Sequence, residues 1–170
     1  MIDQRPIGTS TRSTPATYTG VMDEIRKVFA KTNGVTLQWF SFNSKGACPV
    51  CKGKGEIMPE VAFADPVAIL CEECGGRRYN SMALSYTYQG KNIEEVLKLT
   101  VEEASTFFAQ KKISQPRQLL AEVGLGYMAL GQSTASMSGG EIQRLKLAGE
   151  LQKTGSIYIL DEPAAGLHTQ

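Results

Sequence analysis

Four cysteines, Cys48, Cys51, Cys71 and Cys74, are the only ones in the 170-residue chain, and they form two Cys-x-x-Cys pairs separated by 19 residues. Thiolates in two such pairs suit zinc, which takes four sulfur ligands in a tetrahedron at about 2.3 Å. Each pair can supply two corners. Gly53 and Gly55 follow the first pair, Gly75 and Gly76 the second, and tight knuckle turns need residues without a Cβ. A redox Cys-x-x-Cys normally occurs singly and opens a helix, whereas these pairs sit among Gly and Lys. Four thiolates leave no open position for water, so the expected zinc is structural. Lys45, Lys52, Lys54, Arg77 and Arg78 flank the ligands. Zinc would gather them into a local positive surface where phosphates could bind. The same charges could equally form a solvated face, and Glu72 and Glu73 dilute the patch.

A second group of residues suits phosphate chemistry. In SMSGGEIQRLKLAGEL (136–151), Ser138, Gly139 and Gly140 precede an expected helix on which Ile142, Leu145 and Leu151 could face a core. Small residues let backbone N–H groups approach an anion, and a helix N-terminus favours negative charge. Further on, the apolar run SIYIL (156–160) delivers Asp161 and Glu162. That is the layout of a Walker B element, in which the first carboxylate helps hold Mg²⁺ and the second polarises the attacking water. Either element alone is common in strands and turns without function; their order makes the pair informative.

The rest of the chain must position these groups. Hydrophobic residues make up 42%, charged residues 21%, and 18 Lys+Arg against 17 Asp+Glu leave a formal charge of +1. This composition suits a folded domain with a core and gives no global electrostatic footprint for a polyanion. The first 20 residues lack an apolar stretch, and nowhere do 18 apolar residues run together, so a signal peptide and a membrane span are not expected and a cytoplasmic chain is. Residues 4–20, rich in Thr, Ser and Pro, read by composition as an exposed linker. Val21, Ile25, Val28 and Phe29 fall on one face of a helix that Gly34 would end. LQWFSF (37–42) reads as extended. The cysteine module fills 45–80, with a hairpin between its pairs: Val61, Phe63, Val67 and Ile69 alternate, and Asp65-Pro66 supplies a turn. ALSYTYQGKN (83–92) reads as a strand ending in a Gly turn. Thr100 and Glu103 form a capping box opening a helix through Phe108. Another helix is expected over 116–123, with Pro116 in its first turn and Gly124 past its end, and a further one over 138–151.

SGGEIQR resembles the signature motif of ABC-type ATPases, ILDEP their Walker B and AAGLH their D-loop. With QRPIGTSTRSTPATYTG, FSFNSKGACPVCKGKG, CEECGGRRYN and GLGYMALGQSTASMSGGEIQRLKLA, the chain resembles the UvrA family of excinuclease components over nearly its whole length. In that family a Cys-x₂-Cys-x₁₉-Cys-x₂-Cys module lies between the Walker A and signature of the second ATPase half. The resemblance implies an α/β fold: a partial ABC-type ATPase domain with a mostly helical signature region and an inserted zinc-bound hairpin. It implies four segments: 1–44 (Q-loop region and helix), 45–80 (zinc module), 81–155 (signature domain) and 156–170 (Walker B strand and D-loop). It also implies that 4–20 is ordered, with Gln4 at the Q-loop position. Ser138, Gly139 and Gly140 would touch the γ-phosphate of ATP bound by a different half, Asp161 would help hold Mg²⁺, and Glu162 would be the catalytic base. The implied activity is ATP-coupled recognition of damaged duplex DNA in nucleotide excision repair, with a homodimeric parent, other excision-repair subunits as partners, and no membrane. The zinc hairpin resembles the one implicated in DNA contact.

The chain departs from the family's pattern. No G-x-x-x-x-G-K-[ST] occurs, so a piece of a longer protein that does not hydrolyse ATP by itself is expected. The lone His168 has no partner for a catalytic dyad. Ala164-Ala165, where many UvrA proteins carry two threonines, hints at the shorter UvrA-like paralogues linked to drug resistance. Another ABC-type ATPase, such as a translation factor whose hairpin faces protein, is the alternative. A DnaJ-type chaperone module fits CPVCKGKG but has no place for SGGEIQR.

Overall fold

The computed structural model describes residues 12–59 and 67–152. The chain divides into two compact units: Ile25–Val96, and a second that joins the described residues up to Glu24 to those from Leu97 onward.

The Ile25–Val96 unit is built on aromatic packing. Helix α2 (Val21–Asn33) runs as the apolar spacing predicts, burying Val21, Ile25 and Phe29, and Gly34 follows it with φ +65°. The Phe29 ring meets Phe40 at 5.1 Å and Tyr88 at 5.9 Å between centroids. The expected extended run at 37–42 is instead a 3-10 turn over Leu37–Phe40, and only from Ser41 does the backbone extend. The turn leaves Leu37 exposed while Phe40 and Phe42 go fully inside, an outcome that burial of the two rings decides and local propensity does not. The strand expected at 83–92 is also corrected in its first half. Asn80 caps a short helix, α3 (Ser81–Ser85), its side chain accepting from the Ala83 N–H. Only then do β3 (Thr87–Tyr88) and β4 (Lys91–Asn92) form a hairpin, and Gln89 and Gly90, at φ +49° and +79°, make its turn. Two positive φ values are what the right-handed twist of a two-residue hairpin demands.

In the other unit, residues 12–20 are not an exposed linker. Thr14, Pro15, Ala16 and Thr19 are buried. Thr14 and Thr17 exchange hydrogen bonds across the start of helix α1 (Pro15–Tyr18). The Ala16 N–H donates to the Leu130 carbonyl. The ordering that the family resemblance implied therefore holds for the described part of the stretch. After α4 (Ile93–Lys98), the capping box opens α5 (Val101–Phe107) as read: Glu103 Oε2 accepts from the Thr100 N–H at 2.8 Å, and Thr100 Oγ1 from the Glu103 N–H at 3.1 Å.

Helix α6 (Lys111–Glu122) begins five residues before the expected start and carries Pro116 in its interior. Ile113, Pro116, Arg117 and Leu120 form its buried stripe, a helical spacing in which the proline ring serves as packing surface and offsets the backbone bond its missing N–H gives up. The Arg117 guanidinium donates to the Ala104 carbonyl of α5, and Gly124, at φ +78°, ends α6. Helix α7 (Gly139–Gln152) packs against α6; Gly140, Leu145 and Ala148 are buried, but Leu151, expected to face a core, is 39% exposed. Among the described residues no helix is long and apolar enough to cross a membrane.

Candidate metal centre and phosphate-binding turn

The two cysteine pairs converge. All four sulfurs lie within 4.8 Å of one another and all four side chains are buried. Cys48 Sγ is 3.9 Å from Cys71 Sγ, and Cys51 Sγ is 3.7 Å from Cys74 Sγ. A tetrahedron with metal–sulfur bonds of about 2.3 Å has edges of about 3.8 Å, whereas a disulfide needs about 2.05 Å. The donor set and its spacing thus fit a four-coordinate metal ion.

The knuckles that hold these sulfurs are related by an internal near-symmetry. After Cys51, positive φ occurs at Lys52 (+51°), Gly53 (+79°) and Gly55 (+83°); after Cys74 it occurs at Gly75 (+55°), Gly76 (+79°) and Arg78 (+69°). The pattern at the first, second and fourth positions is the same. The Lys54 N–H donates to the Cys51 carbonyl and the Arg77 N–H to that of Cys74. The knuckles also cross-brace: the Cys48 N–H donates to the Arg78 carbonyl at 2.8 Å, and the Cys71 N–H to the Gly55 carbonyl at 3.0 Å. Between them β1 (Glu56–Ile57) and β2 (Ile69–Leu70) pair antiparallel, Glu56 opposite Leu70. This is the base of the expected hairpin. Val61, Phe63, Asp65 and Pro66 lie outside the described residues.

The thiols differ in their hold on protons. Burial pushes Cys74 up to about 12, and burial also raises Cys48. At Cys51 burial is outweighed by the Gly55 N–H donating to its sulfur, at 3.3 Å, and by the Cys74 side chain, which bring it down to about 7. Four adjacent buried thiolates cannot coexist without a cation among them.

Of the flanking cations, Lys45, Lys52, Lys54 and Arg77 are exposed. The Lys45 ammonium sits 4.4 Å from the centre of the Trp39 ring. Arg77 Nε donates to the Cys74 carbonyl at 2.9 Å. Arg78 is half-buried, its guanidinium 5.5 Å from the centre of the Phe42 ring, and burial lowers its pKa. Arg78 occupies a position where the other knuckle has Gly55. Arg78→Ala loses the ring contact and keeps the left-handed strain, while Arg78→Gly loses the contact and sheds the strain. Denaturant melts should therefore place Arg78→Gly above Arg78→Ala by about 0.5–1 kcal/mol, once glycine's freer unfolded chain is counted. The opposite order would mean that backbone strain does not govern this position.

The second candidate site is the turn before α7. Ser138 and Gly139 are exposed, Gly140 is buried, and a Cβ at Gly139 would meet nothing within 4 Å. The turn is closed by Glu141. Its Oε2 accepts from the Ser138 N–H at 2.8 Å and from the Ser138 hydroxyl at 3.0 Å, while the Glu141 N–H donates back to Ser138 Oγ at 3.3 Å. The other oxygen, Oε1, accepts from the Tyr127 hydroxyl at 2.5 Å. Sequence reasoning missed both partners. The Ser-x-x-Glu spacing of a capping box would have found Glu141, but nothing local marks Tyr127. Gln4, Asp161, Glu162 and His168, with the strand expected at 156–160, lie outside the described residues.

Residues 70–165 match the family described as ABC transporter. The chain is 55% identical to UvrABC system protein A of Staphylococcus epidermidis (strain RP62A) and of Staphylococcus aureus (strain COL), over 98% of its own length and 19% of theirs. The crystal structure of UvrA2 from Deinococcus radiodurans superposes with a TM-score of 0.86 at 48% identity, over 98% of this chain and 22% of that one. The chain spans about a fifth of the length of the curated relatives it matches. These similarities bear out the resemblance drawn from the motifs, and the mixed helix–strand fold with four clustered cysteines is the one it implied.

Proposed function

The chain belongs to the ABC transporter family, and on that premise we propose that it is the metal-module and signature portion of a UvrA-like ABC ATPase that engages damaged duplex DNA in excision repair. The observation that carries the proposal is the four-sulfur cluster of tetrahedral dimensions in a chain 55% identical to UvrABC system protein A. Cys48, Cys51, Cys71 and Cys74 hold zinc, which supplies structure and no open coordination site. Lys45, Lys52, Lys54 and Arg77 present positive charge to the phosphate backbone, with Arg78 bracing the knuckle behind them. Ser138, Gly139 and Gly140 meet the γ-phosphate of ATP carried by another ATPase half; the open space over Gly139 suits an anion there. Asp161 and Glu162 are assigned to Mg²⁺ and to the attacking water by the family resemblance, as Gln4 is to the Q-loop. The working parent is a homodimer that acts with other excision-repair subunits.

Fluorescence titration of the zinc-loaded chain onto a labelled duplex, with and without a bulky adduct, tests the DNA reading. Four exposed cations can neutralise up to about four phosphates, which predicts a loss of about a hundredfold in affinity between 50 and 200 mM salt. Chelation should abolish binding. Absence of binding at low salt with zinc bound would refute a DNA-contacting module in this chain and favour a second reading, supported by the exposed Val50, Met58, Val67, Ile69 and Leu70. An apolar hairpin of that kind docks on protein, as in a paralogue or another ABC-type ATPase.

A further inference from the structure

We propose that Tyr127 is a positioning residue for the signature turn: by donating to Glu141 it holds that carboxylate across both Ser138 donors, so that a phosphate gains the turn only when the carboxylate leaves. The inference rests on the nucleotide-facing reading of Ser138, Gly139 and Gly140 and adds to it how the turn is regulated.

Tyr127 is not held in place by its own burial, since the side chain is 58% exposed. What fixes it is its backbone. The Glu102 N–H donates to the Gly126 carbonyl at 3.1 Å and the Val101 N–H to the Met128 carbonyl at 2.9 Å. Leu125 and Met128, on either side, are fully buried. The tyrosine is thereby carried on a segment clamped to the start of α5, and its hydroxyl reaches a carboxylate 14 residues further on at 2.5 Å. A short bond from a neutral donor to an anion is among the stronger kinds. It anchors Glu141 Oε1 while Oε2 takes the Ser138 N–H and hydroxyl.

The consequence is competition between two anions. A phosphate oxygen at Ser138 needs the same N–H and O–H that Glu141 already uses, and like charges a few ångströms apart repel. The ionised state of Glu141 is itself favoured here: the Tyr127 hydroxyl first, then the Ser138 N–H and the Arg144 guanidinium on α7, keep its pKa below the usual carboxylate range. The same bond raises Tyr127. Because the folded pKa of Glu141 is depressed, the latch is intact at neutral pH and is lost only as pH falls through that lowered value.

Amide NMR of the ¹⁵N-labelled chain, with inorganic triphosphate as the probe, tests the latch. The Ser138 amide in the wild type should titrate with a midpoint below the ordinary glutamate value. Tyr127→Phe should move that midpoint upward, and Glu141→Gln, which preserves the capping geometry, should abolish the titration. Both variants should bind triphosphate at Ser138–Gly140 about tenfold more tightly than the wild type. Circular dichroism showing unchanged helix content removes misfolding as the cause. Equal triphosphate affinities in all three proteins would overturn the latch while leaving the nucleotide reading standing. Absence of any response at 138–140, even in Glu141→Gln, would overturn the nucleotide reading and the latch with it.

Discussion

Stripping the proposed zinc from the chain, or replacing Cys48 or Cys74 with serine, should unfold the cysteine module while the helices of the other unit persist. Little apolar burial surrounds the sulfurs to hold the knuckles and the hairpin base together. Its buried cluster consists of the four cysteines themselves, with only Ile57 packed against them. Its strands are two residues each, and Val67, Ile69 and Leu70 point into solvent. A two-stranded hairpin of that size is marginal in water by itself. Zinc in comparable Cys-rich peptides contributes roughly 10–16 kcal/mol of apparent binding free energy, nearly all of it available as folding free energy. Without the cation, burial drives Cys48 and Cys74 toward the neutral thiol, and four unbridged sulfurs do not replace the lost bonds. Amide spectra before and after chelation, with metal content measured on the same samples, decide the matter. Dispersed, unshifted signals from residues 48–58 and 69–78 in metal-free protein would contradict it.

The second large effect is expected at Gly53. Alanine there would need φ +79° and would place its Cβ 1.7 Å from the Phe42 carbonyl oxygen and 2.7 Å from the carbonyl carbon. Both atoms are backbone, so no rotamer change relieves the clash. Either the knuckle or the 40–42 segment must move, and that segment carries the buried Phe40 and Phe42. Gly75 is the control: its φ is +55°, but a Cβ there meets nothing within 4 Å. Gly75→Ala should cost about 1–2 kcal/mol, the strain of a left-handed residue. Gly53→Ala should exceed about 4 kcal/mol, the range in which core disruption is the usual cause. Equal denaturation midpoints for the two variants would show that the Phe42 carbonyl has room to yield.

What the chain alone made legible was local or rigidly spaced. The cysteine spacing picked out the four sulfurs that converge, because a tetrahedron of sulfurs admits few sequence arrangements. Thr100 with Glu103, and Gly34 and Gly124 past their helices, marked ends correctly, since a cap is satisfied within one turn of the chain. Elsewhere short segments answered to distant partners. The 3-10 turn at 37–40 and helix α3 form where the burial of Phe40 and Ala83 requires them, and Pro116 sits inside α6 because its ring completes a buried stripe. The linker reading of 4–20 failed over its described part for the same reason, its backbone being paired with segments more than a hundred residues away, as the bonds from the Ala16 N–H to the Leu130 carbonyl and from the Thr134 N–H to the Ser13 carbonyl show. The cross-bracing of the knuckles and the Tyr127–Glu141–Ser138 contact belong to tertiary structure alone. Composition and period encode which side chains want burial or a cap, but which carbonyl a given N–H reaches is decided only when remote segments pack.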